Sequence, residues 1–269
     1  MVVTPNRILV GAMSVAGGGE GRAVLVTGAS RGIGAAVARA FAGAGDRVAV
    51  HYATSETRAN EVAASLPGSG HVVVGADLAD PEAVRRMVDE AAGRLGGVDV
   101  LVNNAGVFVE HPITETTYQE WQRAWESTLA VNLVGAANVT WCVVQHMIRG
   151  AVGGSIVNVS SRGAFRGEPA HPAYGASKAA IVAFGQSLAR ALGPHGIAVT
   201  AVAPGFTETD MAAEALAGEN GDRRRAESPL GRVATPAEVA AAVLYLASPD
   251  AVMVSGAVLD LNGASYLRM

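Results

Sequence analysis

The sequence predicts an α/β fold, a doubly wound parallel sheet of seven strands in a single domain. Short β-branched runs alternate with longer helical patterns from Arg22 onward, as in successive βαβ units whose crossovers force parallel strands. The first run ends in a glycine-rich turn that opens a helix. The 269 residues, 50% hydrophobic and 16% charged, suit one core of full size, and no linker interrupts them.

Residues 1–21 read as an N-terminal extension and 22–269 as the domain. Within the extension Ile8 to Ala16 is apolar behind Arg7, but the run is too short to span a membrane and carries a single flanking charge. Gly17 to Gly21 precedes the first strand and reads as a flexible lead-in rather than a phosphate loop. The first strand, Ala23 to Thr27, leads into Thr27-Gly28-Ala29-Ser30-Arg31-Gly32-Ile33-Gly34. Glycines let a ligand approach the backbone there, and the N–H groups and dipole of the following helix attract a pyrophosphate. The spacing is Gly-x-x-x-Gly-x-Gly rather than the common Gly-x-Gly-x-x-Gly fingerprint, so the strand–turn–helix context carries the inference.

The second strand, Arg47 to Tyr52, runs out through His51-Tyr52-Ala53-Thr54-Ser55, and the third covers His71 to Gly75. Asp80-Pro81-Glu82 then starts a helix with an N-cap followed by proline. The fourth strand is Val98 to Asn103. A long apolar helical stretch includes Val131 to Ile148, and the fifth strand, Ser155 to Ser160, ends in hydroxyls. Ala179 to Leu192 is again helical, and Ala198 to Ala203 is the sixth strand. Between Gly205 and Pro229 the chain is polar and glycine-rich, and Arg223-Arg224-Arg225 beside Asp222 and Glu227 reads as a solvated loop. Thr235-Pro236-Ala237-Glu238 is a capping box, and Ala257 to Asn262 is the seventh strand.

The chemistry concentrates on Tyr174-Gly175-Ala176-Ser177-Lys178, with Ser161 thirteen residues upstream of the tyrosine. A lysine one turn after a tyrosine reaches the same side of a helix, where its ammonium favours the phenolate and lowers the pKa from about 10. A phenol tuned toward neutrality exchanges a proton with an alcohol or ketone. By itself Tyr-x-x-x-Lys is a weak signal. Its place after a buried parallel strand strengthens it, because ligands of open α/β sheets bind at the carboxyl ends of strands. Together with the glycine turn, the residues describe hydride chemistry on a nicotinamide cofactor.

In this order and at these separations the motifs resemble those of the short-chain dehydrogenase/reductase family, over about Arg22 to Gly263. The resemblance implies a Rossmann-type sheet whose turn holds the cofactor through Gly28, Ser30, Arg31, Gly32, Ile33 and Gly34. It implies that Asp77 and Leu78 touch the adenine, and that Asn104, Ala105 and Gly106, following Asn103, close the cofactor site. Pro204, Gly205 and Thr207 would hold the nicotinamide amide. Tyr174 would be the general acid or base and Ser161 would hold the substrate oxygen. Lys178 would bind the nicotinamide ribose, and Asn132 would organise a water relay. The family needs no catalytic metal, and its counterpart of the Gly205–Pro229 region is a mobile substrate lid.

The cofactor expected is NADP, with NAD second. NAD enzymes usually place an acidic residue after the second strand, and none is present here. Arg31 can pair a 2′-phosphate through charge-assisted hydrogen bonds. Many NADP members resembling this sequence carry arginine where Thr54 stands, so Arg31 with the hydroxyls of Thr54 and Ser55 would discriminate. The expected reaction interconverts a ketone and a secondary alcohol. The alternatives are a 3-oxoacyl-carrier-protein reductase, docking its carrier on basic residues such as Arg149 and Arg190 beside the uncharged loop Gly150 to Gly154, and an NAD-dependent sugar or polyol dehydrogenase.

Other classes are weighed on single features. Gly28-Ala29-Ser30-Arg31-Gly32 also matches the Gly-x-Ser-x-Gly elbow of a serine hydrolase, with His195 as the downstream base. A non-catalytic dinucleotide sensor would have lost part of the catalytic set, which is intact. A net charge of -4 with no basic stripe argues against nucleic acid, and no membrane partner is expected. The six histidines are scattered without ligand spacing, so no metal site is proposed. The lone Cys142 reads as a core residue of a reducing, cytoplasmic setting. Val131 to Ile148 and Ala179 to Leu192 are apolar on more than one face, which points to a homotetramer or homodimer. Finally, the segment from Arg162 to Ala173 should border a small carbonyl or alcohol substrate. Arg162, Arg166 and Glu168 would either point to solvent or pair with one another and fix the loop, or at least one arginine would face the cleft and select an oxygen-rich or anionic substrate.

Overall fold

Where the sequence places β-branched runs, a seven-stranded parallel sheet forms in the structure, a computed structural model that describes residues 21–268. The expected extension thus lies, but for Gly21, outside the described residues. The strands are β1 (Ala23–Val26), β2 (Arg47–Tyr52), β3 (Val72–Gly75), β4 (Val100–Asn103), β5 (Gly154–Val159), β6 (Ile197–Pro204) and β7 (Val258–Leu261). Their order is β3-β2-β1-β4-β5-β6-β7. The winding reverses between β1 and β4, opening a crevice at the carboxyl ends where ligands bind in such sheets. Register is continuous across the centre, with Val24 opposite both Val48 and Val100, and Asn103 opposite Asn158.

Both sheet faces are apolar because helices cover both. On one face Val24, Val26, Val48 and Val50 pack with α1 (Gly32–Gly43), α2 (Glu56–Ala64) and α9 (Pro236–Leu246). On the other, Leu25, Leu101, Ile156 and Val199 pack with α3 (Pro81–Leu95), α5 (Ala136–Gly150) and α7 (Pro172–Leu192). Asp80 caps α3, accepting the Glu82 and Ala83 N–H groups, and Thr235 with Glu238 forms the expected box on α9. A second box, Thr117 with Glu120, starts α4 (Tyr118–Leu129).

A π-helical segment, Ala130–Gly135, joins α4 to α5. The continuous run Tyr118–Gly150 is apolar and long enough by composition to cross a membrane. Its apolarity is used on the sheet, where Val139, Val143 and Met147 are buried. After α6 (Gly163–Arg166) and α7, the stretch expected as a solvated loop contains instead a helix, α8 (Gly218–Ala226). Pairs one turn apart, Glu219 with Arg223 and Asp222 with Arg225, hold it locally. Arg224 lies 4.7 Å over the Phe206 ring and donates to the Ala215 carbonyl, which docks α8 on the end of β6.

Candidate active site

Five strands, β1, β2, β3, β4 and β6, deliver the cofactor side of the crevice. Gly28 and Gly32 have φ of 63° and 55°, where any other residue is strained. At Gly34 space decides instead: a Cβ would strike the Gly28 carbonyl oxygen and approach Asn104 Nδ2 to 2.6 Å. The N–H groups of Ser30, Arg31, Gly32, Ile33 and Gly34 find no acceptor among the described residues, and no acidic side chain occupies the first turn of α1. That helix start offers free donors and the positive end of a dipole, which fits a dinucleotide pyrophosphate.

The turn is locked from two sides. Asn104 Nδ2 donates to the Thr27 and Gly28 carbonyls at 2.8 and 3.1 Å, while the Asn104 and Ala105 N–H groups donate to Thr27 Oγ1 at 3.0 and 3.1 Å. From β2, the buried His51 accepts the Gly28 N–H at Nδ1, a contact with no local signature in the sequence. Asp77 Oδ1 accepts the Ala79 N–H, Leu78 is buried, Thr54 is exposed and Ser55 stands at the N-cap of α2. Arg58 of α2, which sequence reasoning passed over, reaches across to Asp210, 3.6 Å away. Beyond β6, Gly205 donates to the Leu261 carbonyl and Thr207 is buried, while Thr209 lies against Gly32, so the two sides of the crevice meet over the turn.

The other half of the site is built on β5 and α7. Ser161 leaves β5 with its Oγ accepting the Gly163 N–H at 3.0 Å, and its hydroxyl stands near enough to the Tyr174 phenol to favour the phenolate. Lys178 Nζ lies 5.7 Å from the Tyr174 ring centre and donates to the Val159 carbonyl at 2.8 Å. The expected lowering of the tyrosine pKa is not what the structure gives. Burial pushes the phenol up to about 12, against the opposing effect of the Ser161 hydroxyl, and burial also lowers Lys178 to about 8. Desolvation of both groups outweighs their attraction. Tyr174 therefore rests protonated at neutral pH.

Asn132 lies in the π segment and faces the same place, its Oδ1 accepting the Val107 N–H at 2.8 Å and its Nδ2 donating to the Val107 carbonyl at 3.0 Å and Ser177 Oγ at 3.2 Å. Such segments are frequent at functional sites. A Cβ on Gly106 would come within 3.3 Å of Asn132 Oδ1 and 3.5 Å of Lys178 Nζ, so both polar ends converge on that glycine. His111, unremarked in the sequence, staples the loop after β4 to the start of α7: Nδ1 donates to the Val109 carbonyl, Nε2 accepts the Ala173 N–H and its own N–H donates to Ala170. Phe108 stacks on His171 at 3.6 Å and meets Tyr174 edge-on at 4.7 Å, forming an aromatic wall.

The two arginines of the Ser161–Tyr174 loop pair across the cleft. Arg162, buried, and Arg166 both reach Glu227 Oε2, at 2.7 and 3.1 Å, at the end of α8. They tie this loop to the end of α8, an arrangement that neither expectation named. Ser30 stands at the carboxyl end of β1 and His195 precedes the amino end of β6, so in this parallel sheet the elbow and its base lie at opposite ends of the strands.

Comparison with known proteins agrees with this arrangement. The family described as Enoyl-(Acyl carrier protein) reductase matches residues 28–263. A D-threitol dehydrogenase of Mycolicibacterium smegmatis is 39% identical, over 93% of this chain and 94% of its own. A 3-oxoacyl-[acyl-carrier-protein] reductase, FabG, of Vibrio cholerae is 36% identical, over 92% and 98%. The crystal structure of a short chain dehydrogenase from Burkholderia cenocepacia in complex with NADP superposes with a TM-score of 0.81 at 37% identity, over 91% of this chain and 98% of that one.

Proposed function

The chain belongs to the short-chain dehydrogenase/reductase family and is an NAD(P)-dependent oxidoreductase acting between ketone and secondary alcohol, and from that premise we propose that Tyr174, Ser161, Lys178 and Asn132 carry its proton chemistry with NADP as the dinucleotide. The observation that carries the reading is the convergence of Ser161, Tyr174 and Lys178 at the carboxyl end of β5, with Lys178 Nζ 5.7 Å from the Tyr174 ring centre. Bound NADPH supplies the hydride. Ser161 holds the substrate oxygen, and Tyr174 passes its phenolic proton to that oxygen, so that the carbonyl becomes a carbinol. Lys178 places its ammonium beside the phenol and, with Asn132, offers a path along which the proton is replaced. In the reverse direction Tyr174 must first lose a proton, which a resting phenol pushed up to about 12 opposes.

A small ketone or polyol-derived substrate is favoured over a carrier-bound thioester. The loop Gly150 to Gly154 has no charge, and Arg149 Nε turns back to the Gln145 carbonyl at 3.0 Å. NADP rests on Arg31 and on the missing carboxylate after β2. We infer a homotetramer, or the homodimer that is its half, from Val134, Trp141 and Ile148, which are exposed and recur every seven residues along one face. Met253, Leu259 and Leu267, in and around β7, are also exposed. The lone, buried Cys142 fits a reducing, cytoplasmic setting.

The test is NADPH oxidation against ketones, aldehydes, sugars and acyl thioesters. Tyr174→Phe should lower turnover by about 10² to 10⁴ with NADPH binding near that of the parent; retention of over half the turnover would refute the assignment. In the same titrations Arg31→Ala should weaken NADPH by about five- to thirtyfold and leave NADH little changed. Tighter binding of NADH by the parent would overturn the NADP preference.

A further inference from the structure

We propose that His51 is a positioning residue for the dinucleotide, a neutral imidazole that ties together the three chain segments forming the adenine and pyrophosphate end of the site. The proposal rests on reading the glycine turn as the dinucleotide site. His51 is 1% exposed at the end of β2. Its Nδ1 stands 2.9 Å from the Gly28 nitrogen in the turn after β1, and its Nε2 stands 3.1 Å from the Ala76 carbonyl oxygen, beside Asp77 and Leu78 at the end of β3. Its own carbonyl accepts the Ala29 N–H at 2.8 Å.

These partners determine the tautomer. A peptide N–H can only donate, so Nδ1 must be bare; a carbonyl can only accept, so Nε2 must carry the proton. Apolar burial keeps the ring in that form, lowering its pKa to about 4. The result is a division of labour within the turn. Gly28 and Ala29 are held by His51, while the donors from Ser30 to Gly34 stay free to meet an anion. Gly28 has φ of 63°, so its orientation must be held by partners rather than by a side chain. No phenyl or aliphatic group of the same size could serve, because the Gly28 N–H and the Ala76 carbonyl would both be buried without partners.

Two variants separate the contacts. His51→Phe keeps the ring volume and loses both bonds; His51→Asn keeps an acceptor near the Nδ1 position. Fluorescence titration with NADPH should show binding weakened about tenfold or more in His51→Phe and restored to within about threefold of the parent in His51→Asn. The loss should fall on KM for NADPH, with KM for the carbonyl substrate steady. Hydrogen exchange at the Gly28 amide should quicken in the Phe variant and match the parent in the Asn variant. Should His51→Phe fail to fold, His51→Gln, whose amide reaches toward the Ala76 carbonyl but not the Gly28 N–H, decides: faster Gly28 exchange with weaker NADPH binding supports the role, and parental values of both overturn it. Equal NADPH affinity and Gly28 exchange in the parent and His51→Phe overturn the proposal, as does a parallel loss of kcat, carbonyl KM and melting temperature. A parent that binds neither NADPH nor NADH overturns the reading of the turn along with it.

Discussion

Burial moves the two ionisable groups of the site in opposite directions, a phenol that holds its proton more firmly and an ammonium that holds its own less firmly. The i, i+4 spacing of Tyr174 and Lys178 was enough to place both on one face of a helix. The direction of the tyrosine shift was not legible, because it depends on how much water β5 and the loop after β4 exclude. Lys178 costs stability for the same reason. Its folded pKa is about 8 against the usual 10.5, so the folded protein must hold a poorly solvated ammonium at neutral pH. The unfolded chain binds the extra proton between pH 8 and 10.5, so the penalty is full below about 8 and fades as pH rises through that window. Lys178→Met should therefore abolish turnover yet raise stability at pH 7 by about 1 to 2 kcal/mol, part of the gain being offset by the unpaired Val159 carbonyl. Urea denaturation at pH 7 and pH 10.5 checks this; a gain as large at the higher pH, or a loss at pH 7, contradicts it.

Among the elements, α8 departs furthest from its sequence reading. Its composition is that of a solvated loop, and its hold on the rest of the protein comes from groups distant in the chain: Phe206 under Arg224, and Arg162 and Arg166 on Glu227. Arg162 is the more buried partner, with Ser265 Oγ at 2.6 Å and the Phe206 ring 5.4 Å from its guanidinium as further contacts. Glu227→Ala should leave that guanidinium without a counter-charge and lower stability by about 2 to 3 kcal/mol. It should also speed amide exchange in α8 and raise KM for the carbonyl substrate, since the loop between Ser161 and Tyr174 loses its tie to the lid. Parental exchange rates in α8 would show that the latch does not hold it.

For the whole molecule, the decisive surface is the outer face of α5. Trp141 is 64% exposed in the protomer, flanked at seven-residue intervals by Val134 and Ile148. An indole left in water forgoes the burial that makes aromatic side chains strong contributors to interfaces, and a self-complementary patch on a helix favours two-fold pairing. Trp141→Glu should leave the fold intact, because the side chain packs on nothing essential within the protomer. Light scattering at micromolar concentration should report a tetramer for the parent and a smaller species for the variant. A monomeric parent, or an unchanged mass in the variant, would remove this reading.

By itself the sequence determined the seven strands, the turn between β1 and α1, the caps at Asp80 and Thr235, and the positions at which Ser161, Tyr174 and Lys178 leave their elements. Each depends on side chains within a few residues of one another: β-branched runs, a glycine turn, an oxygen three residues ahead of an N–H. Tertiary structure alone decided how those groups are charged and held. His51 joins Gly28 to Ala76, His111 joins Val109 to Ala173, and Glu227 joins α8 to Arg162. These partners are tens of residues apart, and none has a local pattern. Desolvation likewise belongs to everything packed around a group rather than to the group, and so the chain could name the proton donor but only the folded sheet and loops could set its proton at rest on the phenol.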